Sequence, residues 1–229
     1  MREYDLKTLE NPKSPTAEAY RVLRTNLKFT SVDNAVKHIL FTSSGPLEGK
    51  SSIVANLAFS MSQAGKSVLI IDADLRNPSQ HKIFGLSNFT GLTTTLTEDI
   101  SAFTYIVKTQ HEGLDILTSG PIPPNPAELL DSRRMKKIMQ EINPVYEFVL
   151  IDSPPVIAIT DASVLAQSVD GVILILAAGE VEREYALRAK EQLEKVGAKI
   201  LGIVLNKAKV QSEKHNYYYY HGNQMLLKV

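Results

Sequence analysis

The chain has 229 residues, of which 44% are hydrophobic, and this suits one α/β domain with a large core better than two small domains. Its 25 basic and 25 acidic residues cancel, which argues against non-specific nucleic-acid binding but leaves room for a local basic patch. Cysteine is absent, which excludes disulfides, metal thiolates and thiol nucleophiles and is compatible with a reducing cytosol.

The sequence shows no signal for export or membrane insertion. The start, MREYDLKTLENPKSP, is charged and has no apolar signal-peptide core. The longest apolar run, DGVILILAAG, has the length of a strand, whereas a membrane span needs roughly 18–20 apolar residues. We therefore expect a soluble, cytoplasmic protein that reaches a membrane only through a partner.

Short apolar runs alternate along the chain with stretches that favour helices. The predicted strands are 37–44, 67–74, 114–121, 147–155, 171–179 and 198–207. The predicted helices are 15–30, 50–64, 126–141, 160–168 and 183–195. The strands lack polar alternation, which is typical of a parallel sheet buried on both faces. The order predicts one domain over 1–229, a doubly wound and mainly parallel α/β sheet flanked by helices, with a disordered tail over about 208–229.

The first strand runs directly into SGPLEGKSS, and a helix follows. Loop N–H groups and a helix N-terminus at the carboxyl end of a parallel strand can hold phosphate. Lys50 is expected to reach the β- and γ-phosphates, and the Ser51 hydroxyl to bind Mg²⁺. The pattern G-x-x-x-x-G-K-[ST] fails only at Ser44. The predicted nucleotide-binding residues are Gly45, Pro46, Leu47, Glu48, Gly49, Lys50, Ser51 and Ser52.

Carboxylates end two further predicted strands. Asp72 and Asp74 follow VLII, and Asp152 follows FVLI. Single carboxylates at strand ends often only cap the next turn, but three near a phosphate loop favour an Mg²⁺ site. Because Mg²⁺ keeps several waters, we expect it near Ser51, Asp74 and Asp152 with few direct contacts. Such a site suits phosphoryl transfer, which depends on positioning and charge neutralisation.

These motifs together resemble the bacterial tyrosine kinases of capsule and exopolysaccharide synthesis, which have the P-loop NTPase fold. The resemblance rests on SPTAEAYRVLRTNL, TSSGPLEGKSS, VLIIDADLRNP, LTSGPIPPNPAELL, FVLIDSPP and the tyrosine-rich tail. Related partitioning ATPases with a deviant P-loop carry an additional Lys where this chain has Gly45. Gly45 therefore favours the kinase branch.

The resemblance implies that ATP and Mg²⁺ are the cofactors and that Lys50, Asp72, Asp74 and Asp152 are catalytic. Asp72 is the candidate base for the incoming phenol. An ordinary Asp has a pKa of about 3.9 and is therefore a weak base for a phenol, whose pKa is about 10. We therefore expect Asp72 to orient the phenol. Asn206 matches a position that borders the adenine in related ATPases.

Four adjacent tyrosines lie in the segment HNYYYYHGN near the end of the chain. The flanking residues provide no hydrophobic partner for a buried strand. In the family that the chain resembles, such a cluster is phosphorylated in trans by the neighbouring subunit. The expected phosphoacceptors are Tyr217, Tyr218, Tyr219 and Tyr220.

The pattern E-x-x-R-x-x-R is formed by Glu18, Arg21 and Arg24. It suits a solvated helix face with weak ion pairs, but the resemblance implies a contact between subunits of a ring, of which an octamer is one form. The resemblance also implies a separate membrane adaptor that recruits the kinase to the inner face of the cell membrane. A protein-tyrosine phosphatase and protein substrates in sugar-nucleotide or polysaccharide pathways are the other expected partners, and nucleic acid is not one.

The family commonly has Pro-Gly-Glu in its phosphate loop, where this chain has Leu47. A left-handed backbone at Leu47 would cost about 1–2 kcal/mol, so we expect an extended conformation there and a loop that still supports activity. Two other functions stay open: a partitioning-type ATPase, and a catalytically weak, nucleotide-gated regulator of polysaccharide assembly. A eukaryotic-type kinase is excluded because the H-R-D, D-F-G and G-x-G-x-x-G motifs are absent.

Overall fold

The computed structural model describes residues 11–30, 36–98, 100–208 and 226–228. The helices are α1 Pro15–Thr30, α2 Lys50–Ser62, α3 Gln80–Ile83, α4 Leu92–Glu98, α5 Pro126–Leu130, α6 Arg133–Ile142, α7 Asp161–Ala166 and α8 Arg183–Lys195. The strands are β1 His38–Ser43, β2 Val68–Asp72, β3 Val107–Lys108, β4 Leu114–Leu117, β5 Phe148–Asp152, β6 Gly171–Ala177, β7 Ile200–Asn206 and β8 Leu226–Lys228. Ala102–Thr104 forms a short 3₁₀ helix.

The strands form one sheet in the order β3-β4-β2-β5-β1-β6-β7-β8, and only β3 is antiparallel to its neighbour. Successive residues of β1 enter different cores: Ile39 and Phe41 pack in the cluster with α1 and α2, whereas Leu40 packs in the cluster with α5–α8. A sheet with apolar side chains on both faces needs helices on both faces, which explains the absence of polar alternation. The prediction of a doubly wound, mainly parallel sheet is confirmed.

The strand order brings the predicted site together. Strand β5 lies between β1 and β2, and Asp152 pairs in register with Phe41 on one side and with Asp72 on the other. All three strands are parallel, so their carboxyl ends meet at one edge of the sheet. The phosphate loop that follows β1 begins at this same edge.

The predicted helix over 126–141 is in fact two helices. Pro126 starts α5, as expected, but the side chain of Asn125 donates to Glu128 Oε2 at 2.7 Å and does not cap the backbone. Ser132 starts α6, because its hydroxyl accepts a hydrogen bond from the Met135 N–H at 3.1 Å. Helices α1 and α8 have the predicted bounds.

Several short elements were not predicted, namely α3, α4, β3 and β8. The expected disordered tail is not loose over its whole length, since β8 pairs with β7 in the register Ile203↔Leu226. Residues 209–225, with the four adjacent tyrosines, lie outside the described residues. Among the helices that the structure describes, none has the length and apolar character needed to cross a bilayer.

Candidate phosphoryl-transfer site

The phosphate loop over 44–49 is held in shape by the side chain of Glu48, which is only 4% exposed. Its Oε1 accepts hydrogen bonds from Ser44 Oγ at 2.6 Å and from the Gly45 N–H. Its Oε2 accepts from the N–H of Ala177 at the end of β6, at 3.1 Å. This carboxylate therefore faces the protein interior, which leaves only the main chain of Glu48 for contact with a nucleotide.

Leu47 has a left-handed backbone with φ 63°, so the extended conformation expected from the sequence is wrong. A left-handed residue with a Cβ costs about 1–2 kcal/mol. The loop must bend sharply where Glu48 turns inward, and this bend imposes the conformation. The Leu47 side chain is 71% exposed and compensates little of that cost through packing.

Gly49 has φ 84° and lies against Asn206 at the end of β7. A Cβ at residue 49 would lie 2.1 Å from Asn206 Nδ2, so no larger residue fits without movement. Asn206 Nδ2 also donates to the carbonyl oxygen of Glu48 at 2.8 Å. Asn206, predicted to border the adenine, thus supports the main chain of the phosphate loop.

Lys50 and Ser51 form the first turn of α2, which contains no acidic residue. Lys50 Nζ donates to Asp152 Oδ1 and lies 3.3 Å from Ser51 Oγ. The side chains of Lys50 and Asp152 are 8% and 0% exposed, so their ion pair is buried. A free α-helix N-terminus with an adjacent Lys is suited to phosphate.

Ser79 and Gln80, at the start of α3, contact the predicted site residues but were not identified from the sequence. Gln80 Nε2 donates to Asp152 Oδ2 at 2.7 Å and to the Ser51 carbonyl oxygen at 3.1 Å. Ser79 Oγ donates to Ser51 Oγ at 2.9 Å. Pro78 and Ser79 together are typical of a helix start, but this signal does not reveal that the helix turns back onto the phosphate loop.

Asp72 is fully buried and has two unequal oxygens. Its Oδ2 accepts from the N–H groups of Ser79 and Gln80 at 3.0 and 2.9 Å, whereas its Oδ1 has no donor among the described residues. Burial, together with the negative charge of Asp152, raises the pKa of Asp72 to about 8. This is closer to a phenol pKa of about 10 than the ordinary value is. Asp72 is therefore better matched to accept a phenolic proton than the sequence analysis assumed.

Asp74 lies beside these groups and also stabilises the turn that follows β2. Its Oδ1 accepts from the Asn77 N–H at 3.0 Å, and burial raises its pKa. The same segment is anchored to α7, because Arg76 makes two hydrogen bonds to the buried Asp161 at 2.9 and 3.1 Å. In the described ranges, no three carboxylate or imidazole groups are arranged to hold a metal ion by themselves.

The residues present fit a Mg²⁺-nucleotide. Positive φ at Gly49, the first turn of α2 and Lys50 are suited to phosphates, while Ser51 offers a hydroxyl to a metal. The unpartnered Asp72 Oδ1 is a buried acceptor that a donor must satisfy. Because Mg²⁺ retains waters and phosphate ligands, a site without three carboxylates is consistent with this metal.

The three residues of the predicted subunit contact lie on α1, but they do not all face the surface. Arg21 pairs with Glu18 at 2.7 Å on the exposed face. Arg24 instead donates to the carbonyl oxygen of Ser60 and lies 3.3 Å from its hydroxyl, within the same chain. Arg24 thus attaches α1 to α2, while Glu18 and Arg21 remain at the surface.

Three comparisons place the chain among known proteins. The ParA family profile, described as NUBPL iron-transfer P-loop NTPase, matches residues 35–226. Tyrosine-protein kinase YwqD of Bacillus subtilis is 44% identical over 216 residues, which cover 94% of this chain and 90% of the relative. The kinase domain of Escherichia coli tyrosine kinase ETK superposes with a TM-score of 0.85 at 32% identity, over 93% of this chain and 85% of that one.

A more distant structure is the septum site-determining protein MinD of Pyrococcus horikoshii, complexed with Mg-ADP. Its TM-score is 0.65 at 25% identity, over 77% of this chain and 72% of that one. The fold is thus that of the P-loop NTPases, which implies nucleotide binding. The motifs, the fold and these relatives agree that the chain belongs to the family of bacterial tyrosine-protein kinases, within the ParA-type P-loop NTPases.

Proposed function

We propose that the chain is a Mg²⁺- and ATP-dependent protein-tyrosine kinase that phosphorylates the tail of a neighbouring copy at Tyr217–Tyr220. The proposal rests on the buried cluster in which Lys50, at the start of α2, meets Asp152 and Asp72 at the ends of β5 and β2. Through this activity the chain regulates capsule or exopolysaccharide synthesis and export. This last role is supported by the family to which the chain belongs.

The nucleotide phosphates bind at the N–H groups of the loop and of the first turn of α2. Lys50 exchanges Asp152 for phosphate and neutralises charge there, and Ser51, Asp152 and Asp74 are the residues that would hold Mg²⁺. Bound Mg²⁺ supplies further neutralisation of the phosphates.

The phosphoryl group moves from ATP to a tyrosine without a covalent enzyme intermediate. The phenolic oxygen forms a bond to the γ-phosphorus as the bond between that phosphorus and the ADP oxygen breaks. Asp72 orients the phenol and takes its proton at Oδ1, the oxygen that has no donor among the described residues. A raised pKa makes this proton transfer less unfavourable than it would be for an ordinary Asp.

Two observations favour the kinase over a partitioning ATPase. Gly45 stands where the partitioning enzymes carry a Lys, and its N–H is used by Glu48 inside the loop. The fold also superposes better on a tyrosine kinase domain than on MinD, with TM-scores of 0.85 and 0.65. A nucleotide-gated regulator without phosphate transfer is distinguished only by experiment.

The chain assembles into a ring through the exposed Glu18–Arg21 face of α1, and a membrane adaptor docks on it at the inner face of the membrane. Each phosphotyrosine adds about −1.5 to −2 charges, so a phosphorylated tail leaves the acidic site and weakens the ring. A phosphatase then restores assembly. Sizing before and after phosphorylation tests this cycle, and identical assemblies would contradict the separation step.

Mass spectrometry after incubation with Mg-ATP tests the kinase activity directly. The wild-type protein, Lys50→Met and a variant with all four tail tyrosines changed to Phe are compared, each dephosphorylated first and supplied with the adaptor tail. We expect phosphate on 217–220 in the wild type alone. ATP binding without any phosphate transfer would instead support the nucleotide-gated regulator.

A further inference from the structure

Gln80 joins two parts of the site that are remote in sequence. Its side chain is completely buried, and its Nε2 lies between Asp152 Oδ2 at 2.7 Å and the Ser51 carbonyl oxygen at 3.1 Å. Both neighbours are acceptors, so only the amide NH₂ group fits between them, and the orientation of the amide is determined. The side chain thus connects the end of β5 to the first turn of α2.

The same turn of α3 also holds the end of β2. The N–H groups of Ser79 and Gln80 both donate to Asp72 Oδ2, and Ser79 Oγ donates to Ser51 Oγ at 2.9 Å. Residues 79–80 therefore contact Asp72, Ser51 and Asp152, which are the candidate base and two of the residues expected to hold Mg²⁺. Main-chain and side-chain groups of these two residues thus make polar contacts that filling the core would not require.

Asp152 accepts a hydrogen bond at each carboxylate oxygen, from Lys50 at Oδ1 and from Gln80 at Oδ2. When Lys50 turns to a phosphate, Asp152 loses one of these donors. A buried carboxylate without a donor is strongly disfavoured. The Gln80 amide is then the described contact that still holds Asp152 in place.

We propose that Gln80 is a positioning residue for the metal-nucleotide, fixing Asp152 and the main chain of Ser51 on the side where Mg²⁺ binds. The inference rests on the proposed Mg²⁺-ATP function. A second observation supports it: Gln80 Oε1 is buried and has no hydrogen-bond donor among the described residues. Waters on Mg²⁺ can donate to such an acceptor, as they can to the unpartnered Asp72 Oδ1.

A purely structural role makes a different prediction. If Gln80 only attached α3 to the sheet, its loss would weaken nucleotide binding equally with and without Mg²⁺. A positioning role predicts that the part of the affinity that depends on Mg²⁺ is lost selectively. Replacing a residue that orients a metal ligand typically costs 10–100-fold in metal affinity.

The test is equilibrium binding of a fluorescent ADP analogue, with Mg²⁺ and with EDTA, to wild type and Gln80→Met. Met is similar in length but does not donate a hydrogen bond. Gln63→Met is the matched control, because Gln63 is exposed at the C-terminal end of α2. We expect Gln80→Met to reduce the tightening by Mg²⁺ about tenfold or more, with affinity in EDTA changed less than about threefold. Gln63→Met should behave as wild type.

Gln80→Glu tests the donor and the acceptor of the amide separately. It keeps an acceptor oxygen but replaces the NH₂ donor with a second carboxylate oxygen beside Asp152. We expect it to lose the Mg²⁺-dependent tightening as Gln80→Met does. Equal losses in Mg²⁺ and in EDTA, or an unchanged Mg²⁺ effect in a folded Gln80→Met, would overturn the inference. A wild type that binds equally in Mg²⁺ and EDTA would overturn the proposed cofactor as well.

Discussion

Asp72 and Asp152 end adjacent strands, pair with each other in register, and are both 0% exposed, yet their surroundings differ. Asp152 has a donor for each oxygen, Lys50 on one and Gln80 on the other. Asp72 receives two main-chain N–H groups on one oxygen and none on the other among the described residues. The same residue type in the same strand position is thus placed in two electrostatic roles.

The difference shows how the fold assigns chemistry to identical side chains. Asp152 forms a buried ion pair with Lys50. The pKa of Asp72 is raised by burial and then by the charge of Asp152, so Asp72 readily holds a proton in the nucleotide-free protein. We infer that Asp152 acts as the fixed partner of Lys50 and Asp72 as the group that exchanges a proton.

Replacing Asp152 by Asn gives the largest expected effect on stability. Both contacts of Asp152 are donors, so the Asn NH₂ group must face either Lys50 or Gln80, and Lys50 loses its buried counter-ion. Removing one partner of a buried ion pair lowers the free energy of unfolding by about 3 kcal/mol. We expect urea unfolding of the nucleotide-free protein to show a loss of that order.

Asp115→Asn is a useful control for this experiment, since Asp115 lies on β4 and accepts from the Tyr146 hydroxyl at 2.8 Å, away from Lys50. It should cost clearly less than Asp152→Asn. Equal losses for the two variants would show that the ion pair with Lys50 contributes nothing special.

Replacing Asp72 by Asn is expected to increase the stability of the nucleotide-free protein. The Asn oxygen can accept from Ser79 and Gln80, and its NH₂ group takes the place of the unpartnered oxygen. The variant removes a carboxylate whose charged form is disfavoured by burial, so stability near pH 8 should rise by about 1–2 kcal/mol. Phosphate transfer should nevertheless be lost, because the variant lacks the proposed proton acceptor.

The pH dependence checks the sign of this effect. The folded pKa of Asp72, about 8, lies above the unfolded value of about 3.9, so the folded state binds the proton more tightly. This contribution to stability is fully present below about pH 4 and is lost as the pH rises through about 8. Urea unfolding in EDTA should therefore show wild type losing stability relative to Asp72→Asn between pH 5 and 8. A difference that stays constant over this range would contradict a raised pKa.

Much of the fold was predictable because buried parallel strands leave continuous apolar runs. The strand order is not readable in this way, but Asp72 and Asp152 could still be placed at one edge since each directly follows such a run. The short elements escaped prediction. Helix α3 has only four residues, too few to show a helical period, and β3 has only two.

The spacing of the carboxylates and Lys50 predicted that they lie together, but it did not predict which contacts each of them makes. These contacts depend on Gln80, which lies 29 residues beyond Ser51 in the chain and belongs to no recognisable sequence pattern of its own. The raised pKa of Asp72 likewise follows from three-dimensional burial, which sequence spacing does not report. The conformation of Leu47 was predicted wrongly because the inward turn of the Glu48 side chain, which forces the bend, is a tertiary contact with β6.

The smallest effect on stability is expected at Leu47, in the phosphate loop over 44–49. This loop precedes Lys50 and so helps to place it against Asp152. Leu47→Gly removes the left-handed strain but increases the freedom of the unfolded chain, so we expect a net gain of about 0.5–1 kcal/mol. Leu47→Ala keeps the Cβ and the strain, and truncating an exposed side chain should change little. Urea unfolding of the two variants, with nucleotide affinity measured alongside, separates strain from packing. If Glu48 fixes the loop, both variants should bind nucleotide within about threefold of wild type, whereas a much tighter Leu47→Gly would mean that Leu47 holds the loop away from its binding geometry.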